Sequence, residues 1–199
     1  RTSSSAASDV YKRQVEGIMP QTETVIRQAL KEKVKPVLFI NKVDRLIAEL
    51  QVTPEDMMQR FGKIITEVNK LIVRMVPEEF KKEWMVDAQA GTVAFGSAYH
   101  NWATSLPFMA KKNVNFKQIY EFMEKEQRRE LAQAAPLHEV LLDMIVEKLP
   151  SADAAQKYRI PHIWRGESEE DIGQAMVNAN ADGDSCLLYT SDAADDDVR

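Results

Sequence analysis

The chain has 199 residues, with 26 Lys and Arg against 31 Asp and Glu, and a formal net charge of −5. This near balance excludes the broad basic surface by which proteins bind nucleic acid through phosphate contacts. Hydrophobic residues make up 44% of the chain, but no apolar run reaches the length of a membrane span, so we expect a globular cytoplasmic protein. The lone Cys186 excludes an internal disulfide and a cysteine-rich zinc site, and no metal site is predicted.

The two ends of the chain differ in composition from the rest. Residues 1–14 are small and polar without a hydrophobic period, and residues 184–199 add a cluster of aspartates. Both segments resemble translated adapter or vector sequence, so we expect a non-native leader and a non-native tail. The alternative is a pair of natural disordered tails.

The first predicted helix leads directly into a short strand. Apolar residues recur at helical spacing over residues 25–30, Thr22 is the expected N-cap, and the helix is predicted to end near Lys33. Four apolar residues, 37–40, then stop at polar ones, which is typical of a buried strand in a parallel sheet. Because open α/β sheets bind ligands at the carboxyl ends of their strands, the residues after Ile40 are candidates for a site.

These residues are Asn41, Lys42, Val43 and Asp44, the pattern by which GTP-binding domains recognise guanine. The Asp44 carboxylate can accept hydrogen bonds from N1–H and the exocyclic amine of guanine, a contact that adenine cannot return. Lys42 can lay its stem along the base, and Asn41 can tie the strand end to neighbouring loops. Such a short pattern also arises by chance, and the alternative is a strand that ends in an ordinary polar turn.

A long helical segment follows this motif. Thr53 is a predicted N-cap before Pro54 at the first helical position, and a second short helix after Pro77 carries Trp84. We expect the apolar stripe of the long helix to pack in the core, and the alternative is a groove for a partner. The stripe consists of Met57, Phe61, Ile64, Ile65, Val68, Leu71, Ile72 and Met75.

A second apolar run, residues 91–98, ends in small residues. Small residues let main-chain N–H groups approach a base, so we pair Ser97 and Ala98 with the upstream motif as holders of the guanine oxygen O6. Taken alone, the turn after residue 96 would be an ordinary strand-to-loop connection. Its position after one long helical segment favours the nucleotide interpretation.

The remainder of the chain is predicted to be mostly helical up to a boundary at Pro150. Residues 99–107 are expected to be irregular, with Trp102 packed on the sheet. Asn115 is a predicted helix cap, and a further helix opens at Pro136 and ends before Pro150.

Beyond this boundary we expect extended structure. Residues 156–164 are predicted to form an edge strand or linker, because Pro161 disfavours a helix. Residues 175–177 are predicted to begin the first hairpin of a β domain.

Five segments together are similar to the archaeal-type elongation factor 2 family of translational GTPases: residues 15–30, the Asn41 motif with its strand, and residues 92–98, 136–150 and 155–166. The resemblance implies an α/β fold, namely an incomplete P-loop GTPase-type G domain. Residues 15–150 would form its carboxyl half, with parallel strands and a helical insertion over about residues 50–90. Residues 151–183 would form a linker and the start of a β-barrel domain.

The resemblance also implies a function, a GTPase that drives ribosomal translocation of tRNA and mRNA. GTP or GDP would bind to Asn41, Lys42 and Asp44 as the guanine-specificity motif and to Ser97 and Ala98 as the second base-contacting turn. The parent would be a monomer that binds the ribosome and no membrane.

The sequence contains no Gly-x-x-x-x-Gly-Lys-Ser/Thr loop and no Asp-x-Pro-Gly-His motif. Phosphoryl transfer depends on the phosphate cradle and Mg²⁺, so we assign no catalytic residue and expect an inactive fragment whose parent binds Mg²⁺ elsewhere. The lost part would include strands beside the Asn41 strand, which leaves a sheet edge uncovered. The alternatives are another translational GTPase, such as a release or recycling factor, and a non-catalytic helical interaction module.

Overall fold

The computed structural model of the chain describes residues 19–112, 114–125, 127–164, 171–180 and 182, so the predicted leader and tail lie outside the described residues. The chain divides into two compact units, residues 1–149 and 150–199, which are described separately. The elements of the first unit are α1 (Pro20–Lys31), β1 (Leu38–Ile40), α2 (Val43–Ala48), α3 (Pro54–Met75), α4 (Glu78–Trp84), β2 (Val93–Ser97), β3 (Trp102–Thr104), α5 (Leu106–Lys112), α6 (Phe116–Glu124), α7 (Arg128–Ala134) and α8 (Leu137–Lys148).

A three-stranded sheet in the order β1-β2-β3 lies at the centre of this unit. Strands β1 and β2 are parallel, as predicted, with Ile40 opposite Phe95. Strand β3 pairs antiparallel with β2 and places the fully buried Trp102 opposite Ser97. The expectation that residues 99–107 are irregular was therefore wrong for 102–104, because the pairing that makes β3 a strand comes from β2 and leaves no local pattern. It was also wrong for 106–107, which lie in the first turn of α5.

Helices cover both faces of the sheet. Ala94 and Phe95 are neighbours on β2, and alternation along a strand turns their side chains to opposite faces. Ala94 belongs to a buried cluster with residues of β3, α5 and α8, among them Phe108 and Met144. The Phe95 ring packs against the ring of Phe61 on α3, with the ring centroids 5.1 Å apart, and against the ring of Phe116 on α6, with the centroids 5.7 Å apart. The result is an α/β arrangement in which the strand ends stay accessible.

Helix α3 begins where the sequence predicts. Thr53 is its N-cap and accepts a hydrogen bond from the Asp56 N–H at 3.2 Å, and Pro54 occupies the first position. The stripe packs in the core, so the alternative of an exposed partner groove is not supported. Its buried members are Met57, Phe61, Val68, Leu71 and Ile72.

Helix α1 begins earlier than predicted. Its N-cap is Met19 and Pro20 stands in the first turn, so the expectation that Thr22 is the cap was wrong. The fixed φ of proline suits the first turn of a helix, which explains why the helix starts there.

One glycine is required by the sheet itself. A Cβ on Gly96 would lie 2.3 Å from the Trp102 carbonyl oxygen and 2.6 Å from the Ala103 Cα, distances too short for any side chain. The close approach of β3 to β2 therefore depends on glycine at this position.

The second unit contains helices α9 (Ala152–Ile163) and α10 (Asp171–Val177). The prediction of extended structure over 156–164 and of a hairpin at 175–177 was therefore wrong. Pro161 lies in the last turn of α9, where its missing N–H removes a single intrahelical bond, and the helix still closes with Trp164 N–H donating to the Ile160 carbonyl at 2.7 Å. Within the described part of the chain, no helix combines the length and the apolar character needed to cross a bilayer.

Candidate functional site

The carboxyl ends of β1 and β2 lie side by side because the two strands are parallel and in register. Asn41 follows β1 directly, and Ser97 is the last residue of β2. The two predicted halves of the site are thus brought together across the long helical segment.

Asn41 links the two strand ends. Its side-chain Oδ1 accepts hydrogen bonds from the Lys42 N–H at 2.8 Å and from the Ala98 N–H at 3.0 Å. The sequence predicts that the Ala98 N–H serves a guanine oxygen, whereas in the structure this donor is engaged by Asn41. The contact fixes the spacing between the two loops that carry the site.

Lys42 turns the chain from the strand into helix α2. Its backbone lies in the left-handed region, with φ 65° and ψ 31°, and its carbonyl accepts a hydrogen bond from the Arg45 N–H at 3.2 Å. The turn brings Asp44 into the first turn of α2, and the fully buried Val43 anchors the helix. An acidic side chain in the first turn of a helix is favoured by the helix dipole, so Asp44 suits its place at the start of α2.

The Asp44 carboxylate is largely sheltered from solvent, with 15% of its side chain exposed. Its Oδ2 lies 3.7 Å from Nε2 of His100, which is 18% exposed. This separation is too long for a hydrogen bond, so His100 does not take up the acceptor capacity of the carboxylate. Asp44 can therefore accept two hydrogen bonds from a ligand edge that presents adjacent donors.

Ser97 and Ala98 shape the turn opposite Asn41. Ser97 is 1% exposed, and its Oγ accepts a hydrogen bond from the His100 N–H at 3.3 Å. The Ala98 carbonyl accepts from the Asn101 N–H at 3.4 Å, which closes the turn. The ring of the exposed Tyr99 packs edge to face against the ring of His100, with the ring centroids 4.8 Å apart.

A cavity of about 470 Å³ opens between these loops, a size suited to a small-molecule ligand. Four of the five predicted site residues line it, and Ala98 contributes through the N–H that holds Asn41. The wall carries charges of both signs, with Lys42, Arg45 and Arg128 beside Asp44 and Glu49. The lining comprises Asn41, Lys42, Asp44, Arg45, Ala48, Glu49, Ser97, Tyr99, His100, Met123 and Arg128.

Seven of the lining residues were not predicted from the sequence as part of the site, among them His100, Met123 and Arg128. His100 lies three positions after Ser97 on the same turn, so its proximity could have been inferred from the turn. Met123 and Arg128 reach the cavity from α6 and α7, and no sequence pattern connects these helices with the motif.

Comparison with known proteins gives the arrangement its context. Residues 12–151 match the family described as "Elongation factor Tu GTP binding domain". The chain belongs to this family. The matched range contains both strand ends, the cavity and all five predicted site residues of the GTP-binding domain.

Several elongation factors 2 are closely similar to the chain. The protein from Methanococcus aeolicus is 63% identical over 176 residues, which are 88% of this chain and 24% of that protein. The protein from Pyrococcus horikoshii is 60% identical over the same number of residues and the same shares. That from Methanocaldococcus jannaschii is 59% identical over 169 residues, 85% of this chain and 23% of its own length. The chain thus spans about a quarter of the length of these relatives.

Proposed function

We propose that this chain carries the guanine-recognition half of the GTP site of a translation elongation factor 2. The observation that carries the proposal is the meeting of Asp44 and Ser97 on one cavity at the carboxyl ends of two parallel strands. Asp44 would accept hydrogen bonds from N1–H and the exocyclic amine of guanine, and the Lys42 stem would lie along the base. Asn41 would act through Ala98, by holding the two loops at a fixed spacing.

The family and the relatives support a wider role. We propose that residues 15–150 are the carboxyl half of a G domain, with about residues 50–90 as its helical insertion. The parent would be a cytoplasmic monomer that hydrolyses GTP to move tRNA and mRNA through the ribosome. The assignment of residues 151–183 to the start of a β-barrel domain stays a prediction, and helices α9 and α10 do not support it.

Hydrolysis also calls for Mg²⁺, whose usual ligands are oxygen atoms. Among the described residues, no group of three or more His, Cys, Asp or Glu side chains is placed to hold a metal ion. We assign neither a metal ligand nor a catalytic residue to this chain, because its sequence contains neither the phosphate-binding loop nor the Asp-x-Pro-Gly-His motif.

Two other functions are less well supported. A release or recycling factor would share the same guanine site, but identities of about 60% to elongation factors 2 favour translocation. A non-catalytic helical module would need the α3 stripe as a contact surface, and the burial of Phe61 and Leu71 opposes this.

A nucleotide competition experiment tests the proposal. We would build a chimaera in which this chain replaces the matched quarter of the Methanococcus aeolicus elongation factor 2. The measurement is the displacement of a fluorescent GDP analogue from this chimaera. GDP should compete, and ADP should be weaker by roughly 10⁴-fold, since a site built around hydrogen-bond donors of the ligand rejects an analogue that lacks them. Equal competition by ADP, or no binding of the GDP analogue, would overturn the proposal.

A further inference from the structure

Arg128, the first residue of α7, lies on the wall of the cavity that holds Asp44 and Ser97. Its Nε is buried, and within the described part of the chain it has no hydrogen-bond partner. A guanidinium offers donors only, so a partner for this atom must be an acceptor.

An unpartnered buried donor lowers the stability of a protein, and more so when the group is charged. Most buried polar groups in folded proteins are satisfied, and those that are not call for an explanation. Arg128 also lines the ligand-sized cavity, so a rotation of its guanidinium toward a bound ligand would give this donor an acceptor and remove the cost. The unpartnered Arg128 Nε therefore indicates a contact that forms only when a ligand occupies the cavity.

The chemistry of a guanine nucleotide supplies such acceptors. Asp44 satisfies donors of the base, while the base atoms O6 and N7, the ribose oxygens and the phosphate oxygens remain as acceptors. The backbone donor expected to serve O6, the Ala98 N–H, is engaged by Asn41. A guanidinium is well suited to donate to these acceptors, because it is planar, always charged and carries several N–H donors.

We propose that Arg128 is a further nucleotide-contacting residue, which donates a hydrogen bond to an acceptor of the bound guanine nucleotide. The inference rests on the proposed function. It assigns to α7 a role in the site that the guanine-specificity motif does not include, and it makes Arg128 on the cavity wall part of the recognition surface.

The neighbouring Arg129 provides a matched control, because it carries the same charge on the same helix, is exposed and does not line the cavity. We would compare Arg128→Met, Arg128→Lys and Arg129→Met in the Methanococcus aeolicus chimaera and in the 199-residue chain. The readouts are GDP and guanosine affinity, by fluorescence displacement and by calorimetry, and the thermal midpoint without ligand.

Arg128→Met should weaken GDP binding at least tenfold and leave the thermal midpoint without ligand unchanged or raised, because it removes a buried donor that has no partner. The GDP affinity of Arg128→Lys should lie between those of Arg128→Met and the unsubstituted protein. The GDP affinity of Arg129→Met should stay within twofold of the unsubstituted protein. An equal loss for GDP and guanosine would identify a base or ribose acceptor, whereas a loss for GDP alone would identify a phosphate; either result supports the contact.

Three results would overturn this inference. GDP affinity of Arg128→Met within twofold of the unsubstituted protein would exclude the contact and leave the proposed function intact. A lowered thermal midpoint in both Arg128 variants, with binding lost in proportion, would show a structural role instead. A failure of the unsubstituted chimaera to bind GDP would overturn the proposed function together with the contact.

Discussion

The Asn41 side chain accepts a hydrogen bond from the Ala98 N–H at 3.0 Å and thereby joins the ends of two parallel strands. The same oxygen accepts from the Lys42 N–H at 2.8 Å. One amide oxygen thus organises both loops of the site, and the first prediction concerns this atom.

Asn41→Ala should lower the free energy of unfolding by about 1 kcal/mol, because two backbone N–H groups lose their acceptor. Urea denaturation measures the change. Asn41→Asp keeps an acceptor oxygen and should retain most of the stability. If both variants were equally destabilised, the acceptor role of Asn41 would be wrong.

Asp44→Asn should shift the base preference from guanine toward xanthine nucleotides. The amide replaces two acceptors by one acceptor and one donor, which suits the carbonyl oxygen that xanthine has in place of the guanine amine. Competition by GDP and XDP in the chimaera measures the shift, with Asp143→Asn on the exposed face of α8 as the control. An unchanged preference would remove Asp44 from its proposed role.

Gly96→Ala should destabilise the protein by about 1–3 kcal/mol or more, because the added methyl group would overlap the backbone of β3. The control is Gly62→Ala within α3, where an added Cβ meets nothing within 4 Å. That change should stabilise the helix by roughly 0.5–1 kcal/mol. Thermal unfolding compares the two, and a neutral Gly96→Ala would contradict the observed packing of β2 against β3.

Asn69 on α3 holds the segment after α4 through a pair of hydrogen bonds. Its Nδ2 donates to the Val86 carbonyl, its Oδ1 accepts from the Val86 N–H, and both distances are 2.8 Å. Asn69→Ala should cost about 1–3 kcal/mol in denaturant unfolding, because both backbone groups lose their partners in a partly buried place. The exposed Lys70→Ala should change stability by less than about 0.5 kcal/mol, and an equal effect of the two would refute the prediction.

Local patterns predicted the first unit well where one element determines its own structure. Thr53 with Pro54 marks the start of α3, and Asn115 forms a capping box with Gln118 at the start of α6. These signals act within a few residues of the chain. For the same reason the sequence indicated the strand that leads to Asn41.

Features that depend on distant partners were not predictable in this way. Strand β3 is three residues long and exists because Trp102 and its neighbours pair with β2. Arg128 reaches the cavity through the packing of α6 against α2, which no pattern of spacing encodes. Pro161 was overvalued as a helix breaker, because a proline in the last turn costs a single bond and the buried Ile160 helps to hold the turn in place.

Lys42 has a backbone conformation that glycine would adopt more readily. At φ 65° a residue with a Cβ bears a penalty of about 1–2 kcal/mol, which glycine avoids. Glycine has no side chain to lie along a base. Under the proposed function, glycine at this position would therefore favour folding, whereas lysine favours nucleotide binding. A laboratory selection for thermal stability alone would therefore favour Lys42→Gly. The selected protein would be more stable and would bind its nucleotide more weakly.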